Sequence, residues 1–166
     1  MNDNIYKPPE AELLGDQEHV DLLASRWTRL WASLLDSLIM MLFIMPAMFL
    51  TGGFEGLTEG VQPSIAYTLA IGLLGLAVFI VINGKLLVSS GQTIGKKLLN
   101  IKIVDLEGGL PELKKHLIKR YAVYFIPGQI PVVGQLFTII NVLFIFGKEK
   151  RCVHDLAANT KVVVAR

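Results

Sequence analysis

The chain has 166 residues, 52% of them hydrophobic and 18% charged, with a mean hydropathy of +0.53 and a formal net charge of +2. That balance excludes a disordered chain and a collagen, and one cysteine, Cys152, excludes a disulfide scaffold. It also argues against a soluble enzyme, because the apolar residues come in long blocks, and the charge is too small to point to nucleic acid.

Residues 1–23 are polar and acidic, with Pro8 and Pro9 opposing a helix, and read as a disordered tail with a short helix after Leu13. No basic start leads into an apolar run there, so the segment does not read as a signal peptide. Residues 30–50 form the first apolar block, long enough to cross about 30 Å of hydrocarbon, with Trp27 and Trp31 where interfacial aromatics belong. Residues 65–88 form the second, in which Gly72 and Gly75 permit close approach of a neighbour and Asn83-Gly84-Lys85 mark the far interface. A polar stretch follows. Within it residues 100–105 alternate like a strand, Glu107-Gly108-Gly109 reads as a turn, and residues 160–165 are a second β-prone piece able to pair with the first.

The last apolar block is broken by Pro127, Gly128, Pro131 and Gly134 into two pieces, 113–126 and 132–146. Each is short for a full crossing, so the block is either one kinked span or a helical hairpin. Charge favours the hairpin. The 51–66 loop carries Glu55 and Glu59 and no base, whereas Lys96 to Arg120 and the C-terminal tail are rich in Lys and Arg. Basic segments stay on the cytoplasmic side, which requires an even number of crossings between them and puts both termini inside. The expected fold is therefore an all-α membrane bundle of two full spans plus a broken hairpin, with a small cytoplasmic β pairing. The domain division is 1–23 as tail and 24–166 as membrane domain.

Asp36 lies six positions inside the first apolar block, and a carboxylate there costs about 2.5–3.5 kcal/mol unless paired. Arg29 is two helical turns earlier on the same face, with the small Ala32 between them. Asp36 reads equally as a proton or cation site and as a clamp held by a basic or hydroxyl group. Arg29 reads as a lipid-phosphate anchor or as the partner of an acid from another segment. Its axial distance from Asp36 calls for a third group, for which Asp155 is the candidate. By composition alone, though, Asp155 is a solvated acid among bases. Gly91-Gln92-Thr93-Ile94-Gly95-Lys96-Lys97 fails the P-loop spacing and reads as a turn leaving the membrane and offering bases to lipid phosphate. The basic run from Lys114 to Arg120 reads as an amphipathic entry helix or a solvated face. His19, His116 and His154 show no metal-ligand spacing, and no nucleophile elbow is present, so neither enzyme chemistry nor a cofactor is expected.

Three segments together resemble the RDD family of small bacterial membrane proteins. They are Arg29 to Asp36; Gly91 to Leu99 followed by Ile103-Val104-Asp105 and Gly108-Gly109; and His154-Asp155-Leu156-Ala157 with Thr160 and Val162-Val163. The resemblance spans about 24–164 and implies a multi-pass inner-membrane protein whose signature is an Arg and two Asp. It assigns Arg29, Asp36 and Asp155 to an ionic cluster, supported by Ala32, Gln92, Thr93, Gly95, Lys96, His154 and Thr160. A few members are associated with sodium/proton exchange. The resulting expectation is cation or proton transport through Asp36, in a homo-oligomer. The alternative is an accessory or scaffold protein whose basic cytoplasmic face binds anionic headgroups or a partner.

Overall fold

The computed structural model describes residues 22–130 and 133–165, so the expected acidic tail and the short helix after Leu13 lie, up to residue 21, outside the described residues. Leu22 and Leu23 are not tail. Val164 donates its N–H to the Leu22 carbonyl at 2.9 Å, and Leu23 bridges Val163.

Helix α1 (Arg26–Leu50) starts at Ser25, whose hydroxyl accepts from the Thr28 amide, and runs through Pro46 without ending. Helix α2 (Ile65–Ser90) starts at Ser64 in the same way and stops at Gly91, whose φ of +66° is the left-handed turn that a glycine adopts without steric cost. Both outrun the expected blocks, and at about 37 and 39 Å each exceeds the hydrocarbon thickness. Their most apolar stretches have mean hydropathies of 2.0 and 2.6, and almost none of those residues is buried. Leu42, Phe49, Leu50 and Val81 are each more than 70% exposed. A soluble protein does not present such a surface to water.

A five-residue helix, α3 (Ile94–Leu98), leads into β1 (Ile101–Asp105). A π-helical turn at Leu113–Leu117 then runs into α4 (Ile118–Phe125). After a 3-10 turn at Pro127–Gln129 come α5 (Val133–Leu143), α6 (Val153–Ala157) and β2 (Thr160–Val164). The expected β pairing is present: β1 and β2 are antiparallel, Ile101 opposite Val164 and Asp105 opposite Thr160. Residues 22–24 add to the other side of β2. The buried apolar core is Ile101, Ile103, Val162 and Val163 together with Ala24, Ala32, Leu87 and Leu117. It sits where the helix ends meet the sheet, which supplies the packing that an isolated strand pair lacks.

The block from 113 to 146 folds back on itself. It begins beside Leu87 and Val88, near the end of α2. Phe79 of α2 then packs on Tyr121 and Phe125 at ring-centre distances of 4.9 and 5.2 Å, and farther along α2 the Gln129 side chain fills the space over Gly72. The block finishes where Phe146 meets Trp27 and Gly147 accepts from the Arg26 guanidinium at 3.2 Å. Both its ends therefore lie at the end of the molecule that carries the start of α1 and the sheet. Asn83 departs from the reading as an interface marker. It is 2% exposed and its Oδ1 accepts from the Ile94 amide at 3.0 Å, because α2 continues two turns beyond it.

Candidate functional site

The three ionic residues singled out in the sequence fall into two clusters rather than one. Asp155 does not bridge Arg29 to Asp36; each carboxylate has its own cations.

In the first cluster Asp155 is fully buried and far from a solvated acid. It pairs through Oδ2 with Arg29 and through Oδ1 with Arg120, and Oδ2 also accepts from the Cys152 amide at 3.0 Å. The last bond closes the first turn of α6, so the same carboxylate caps a short helix and neutralises two guanidiniums. Arg29 also donates to the Lys150 carbonyl, and Arg120 to the Thr160 hydroxyl at 2.7 Å. Arg29 is thus an ion-pair partner, 6% exposed, rather than a lipid anchor. Arg120 belongs to the run that reads as an amphipathic entry helix or a solvated face. It is 3% exposed: His116, Leu117 and Arg120, spaced as one helix face, turn inward and leave Lys114, Lys115 and Lys119 outside. The sequence signal that could have found it is an arginine at the mouth of an apolar block containing no acid.

His154 stands beside this pair. Its Nδ1–H donates to the Asn141 Oδ1 at 3.0 Å and its Nε2 accepts from Arg120 at 3.1 Å, the arrangement of a neutral imidazole. Burial first, and then the Arg120 charge, lower its pKa to about 3. Burial alone would raise the Asp155 pKa, but the charges around it, Arg120 foremost, overcome this and hold it well below the usual carboxylate range. Burial and the neighbouring Asp155 push the Cys152 thiol up to about 11, so it is no thiolate at neutral pH. Donor atoms of Cys152, His154 and Asp155 lie within 4.8 Å of one another. The carboxylate is already held by two guanidiniums, and Arg29 also reaches the Cys152 Sγ at 3.6 Å, so this is poor ground for a dication.

These shifts fix the pH response. Between the ordinary histidine pKa of 6.5 and the folded value of about 3, the unfolded chain binds the extra proton. Stability therefore falls as pH drops through that window. Below the ordinary aspartate value of 3.8 a second loss begins, because the folded carboxylate resists protonation. Thermal unfolding in detergent from pH 7 to pH 3.5 is expected to show a steadily declining midpoint. His154→Gln flattens the upper part of the curve and leaves the lower part. An unchanged slope between pH 6.5 and 4.5 in that variant would contradict the assignment.

The second cluster surrounds Asp36. Oδ1 accepts from the Gly95 amide at 2.8 Å, Oδ2 accepts from the Thr93 hydroxyl at 2.5 Å, and the Lys96 Nζ lies 3.7 Å from Oδ2. The first turn of α3 is thereby satisfied from three directions: Asn83 takes the Ile94 amide, Asp36 that of Gly95, and Thr93 that of Lys96. Gly95 is needed for this approach, since a Cβ there would meet the Ala32 carbonyl and the Asp36 carboxylate. Lys96 departs from the reading as a surface base on a turn leaving the membrane, because it lines the cavity instead. It is 13% exposed and turned to Asp36, whereas Lys97 is exposed. Burial, working against the attraction of Asp36, lowers its pKa. Gln92 is structural here, donating to the Ile101 carbonyl at 3.0 Å.

Both clusters border one cavity of about 350 Å³ between α1, α3, α4 and α6, lined by Arg29, Asp36, Lys96, Arg120 and His154 among others. The model of the RDD family matches residues 23–159, a stretch that contains both clusters. The chain belongs to the RDD family. That membership and the two exposed apolar helices point to a membrane protein. No curated protein and no solved structure matches it. Of the RDD segments read from the sequence, the opening and closing ones meet as Arg29 and Asp155, and the opening and middle ones meet as Asp36 and Gly95.

Proposed function

We propose that this RDD protein is a multi-pass inner-membrane protein that moves protons or monovalent cations by way of Asp36. The observation that carries the reading is a contrast between its two carboxylates. Asp155 is sealed by two guanidiniums, whereas Asp36 faces the cavity, is 15% exposed, and has as its ion-pair partner a lysine 3.7 Å away. A carboxylate so placed can exchange one cation for another at little structural cost. Lysine, unlike arginine, can give up its proton when buried. Exposed Lys97, Lys114, Lys115, Lys119 and Lys148 all belong to the end of the molecule that carries the sheet, and Glu55 and Glu59 to the opposite loop. This distribution supports both termini on the cytoplasmic side, and the fold-back of residues 113–146 agrees with it.

A second reading, an accessory or scaffold protein, draws on one specific observation: both Asp36 oxygens also serve to cap α3. Proteoliposome flux separates the two. Asn at position 36 keeps an acceptor for the Gly95 amide but no charge. Transport predicts pH-gradient-driven cation flux above that of empty liposomes, lost in Asp36→Asn while the thermal midpoint stays within a few degrees. Flux indistinguishable from empty liposomes in the unaltered protein would leave the scaffold reading.

A further inference from the structure

The same cavity carries features that cation movement does not use. Counting its charged lining together with Asp155, three cations (Arg29, Lys96 and Arg120) face two carboxylates (Asp36 and Asp155), with His154 neutral beside them. One positive charge is left over in a half-enclosed site, where an uncompensated charge is unfavourable. The Tyr121 hydroxyl, also on the lining, is buried and makes no hydrogen bond of regular geometry among the described residues, with the Arg120 guanidinium standing beside it. Lys96 makes one hydrogen bond from its ammonium, to Thr93, and stands 3.7 Å from Asp36, which leaves a donor for a further acceptor. Asp36 does not repel an anion strongly, because an amide, a hydroxyl and Lys96 already share its charge.

The lining also changes character along α1. Ser33, Asp36 and Ser37 come first, and Met40, Met41, Ile44 and Met45 follow, over about 18 Å of helix. Phe79 and Phe125 line the same cavity. The polar end therefore lies at the level of the helix ends and the sheet, and the apolar end lies deeper. A membrane lipid is graded in the same sense. Methionine side chains, being unbranched and polarizable, suit a flexible chain.

We propose that the cavity is a site for a monoanionic phospholipid of the adjacent leaflet, its phosphate held by Lys96 and Tyr121 and one acyl chain lying along Met41, Met45 and Phe125. The phosphate charge neutralises the excess cation, its oxygens satisfy the Tyr121 hydroxyl, and the half-open side of the cavity leaves the second chain in the bilayer. A free fatty acid shares the chemistry of one chain under one negative charge, and the test distinguishes it. The proposal does not depend on the transport reading.

The experiment is native mass spectrometry of the purified full chain, titrated separately with phosphatidylglycerol, phosphatidylethanolamine and oleate. Phosphatidylglycerol is expected to bind one per chain, at least about tenfold tighter than the zwitterionic lipid. Lys96→Met is expected to weaken it about tenfold and Tyr121→Phe about threefold, while Lys119→Met on the outer surface changes nothing. Met41→Trp, which fills the apolar end, should abolish binding; if that variant does not fold, Tyr121→Phe still decides. Equal binding of the two phospholipids, or equal effects of Lys96→Met and Lys119→Met, would overturn the site. Oleate displacing phosphatidylglycerol at lower concentration would overturn the phospholipid as occupant. Asp36→Asn separates this site from transport, since it should abolish flux and leave phosphatidylglycerol bound at least as tightly.

Discussion

Asp155→Asn is expected to be the most damaging conservative change in the chain, costing about 3–5 kcal/mol. The substitution preserves shape and one acceptor, but it strands Arg29 and Arg120, which are 6% and 3% exposed, without a counter-charge. It also weakens the Cys152 amide bond that closes the first turn of α6. Because that cluster ties the start of α1, the mouth of α4 and the approach to β2 into one junction, its loss is felt by all of them. The measurement is the thermal midpoint and monodispersity of the detergent-purified variant. A triple replacement, Arg29→Met with Arg120→Met and Asp155→Leu, should recover much of the stability, since apolar side chains of similar volume often replace a buried ionic set without loss. If Asp155→Asn is as stable as the unaltered protein, the pairing is not what holds the junction together.

Gly95→Val is the second large effect. The new Cβ collides with the Ala32 carbonyl, fixed in the backbone of α1, and with the Asp36 carboxylate. The carbonyl cannot yield without moving the helix, and the carboxylate can turn away only by giving up its bond to the Gly95 amide, so the expected cost is that of overpacking, about 1–3 kcal/mol, plus the Gly95–Asp36 hydrogen bond at about 1.5–3 kcal/mol. The variant should lose the seat of α3 before it loses α1 or α2. Limited proteolysis between residues 91 and 100 checks this: cleavage there should accelerate while the two long helices stay protected. Gly95→Ala carries the same Cβ and nothing more, and should show the same defect in a milder form. A Gly95→Val protein with wild-type proteolysis would mean that α3 does not depend on this contact.

Much of this architecture was legible in the sequence because it follows from local rules. Apolar runs longer than the hydrocarbon thickness gave α1 and α2, though not the limits that the Ser25 and Ser64 caps and Gly91 set beyond those runs, and alternation gave β1 and β2. Proline and glycine spacing located the break between α4 and α5. Arg29 and Asp36 stand out because charge is rare beside or within such runs, whereas Asp155, a solvated acid by composition, enters only as the candidate third group and through the family resemblance. Their partners were not legible. Arg120 was one base in a basic run until Asp155 came against it, and Asn83 and Asn141 were single amides in apolar helices until Ile94 and His154 did the same.

The sequence by itself determined what kind of solvent this chain needs and which side chains are too polar to be left alone in it, because hydropathy and period are properties of short stretches. Only the tertiary structure decided who pairs with whom. Asp155 found Arg29 across 126 positions of chain and Asp36 found Gly95 across 59. Ion pairing in a low-dielectric junction depends on distances of a few ångströms, and nothing in the linear order of residues specifies them.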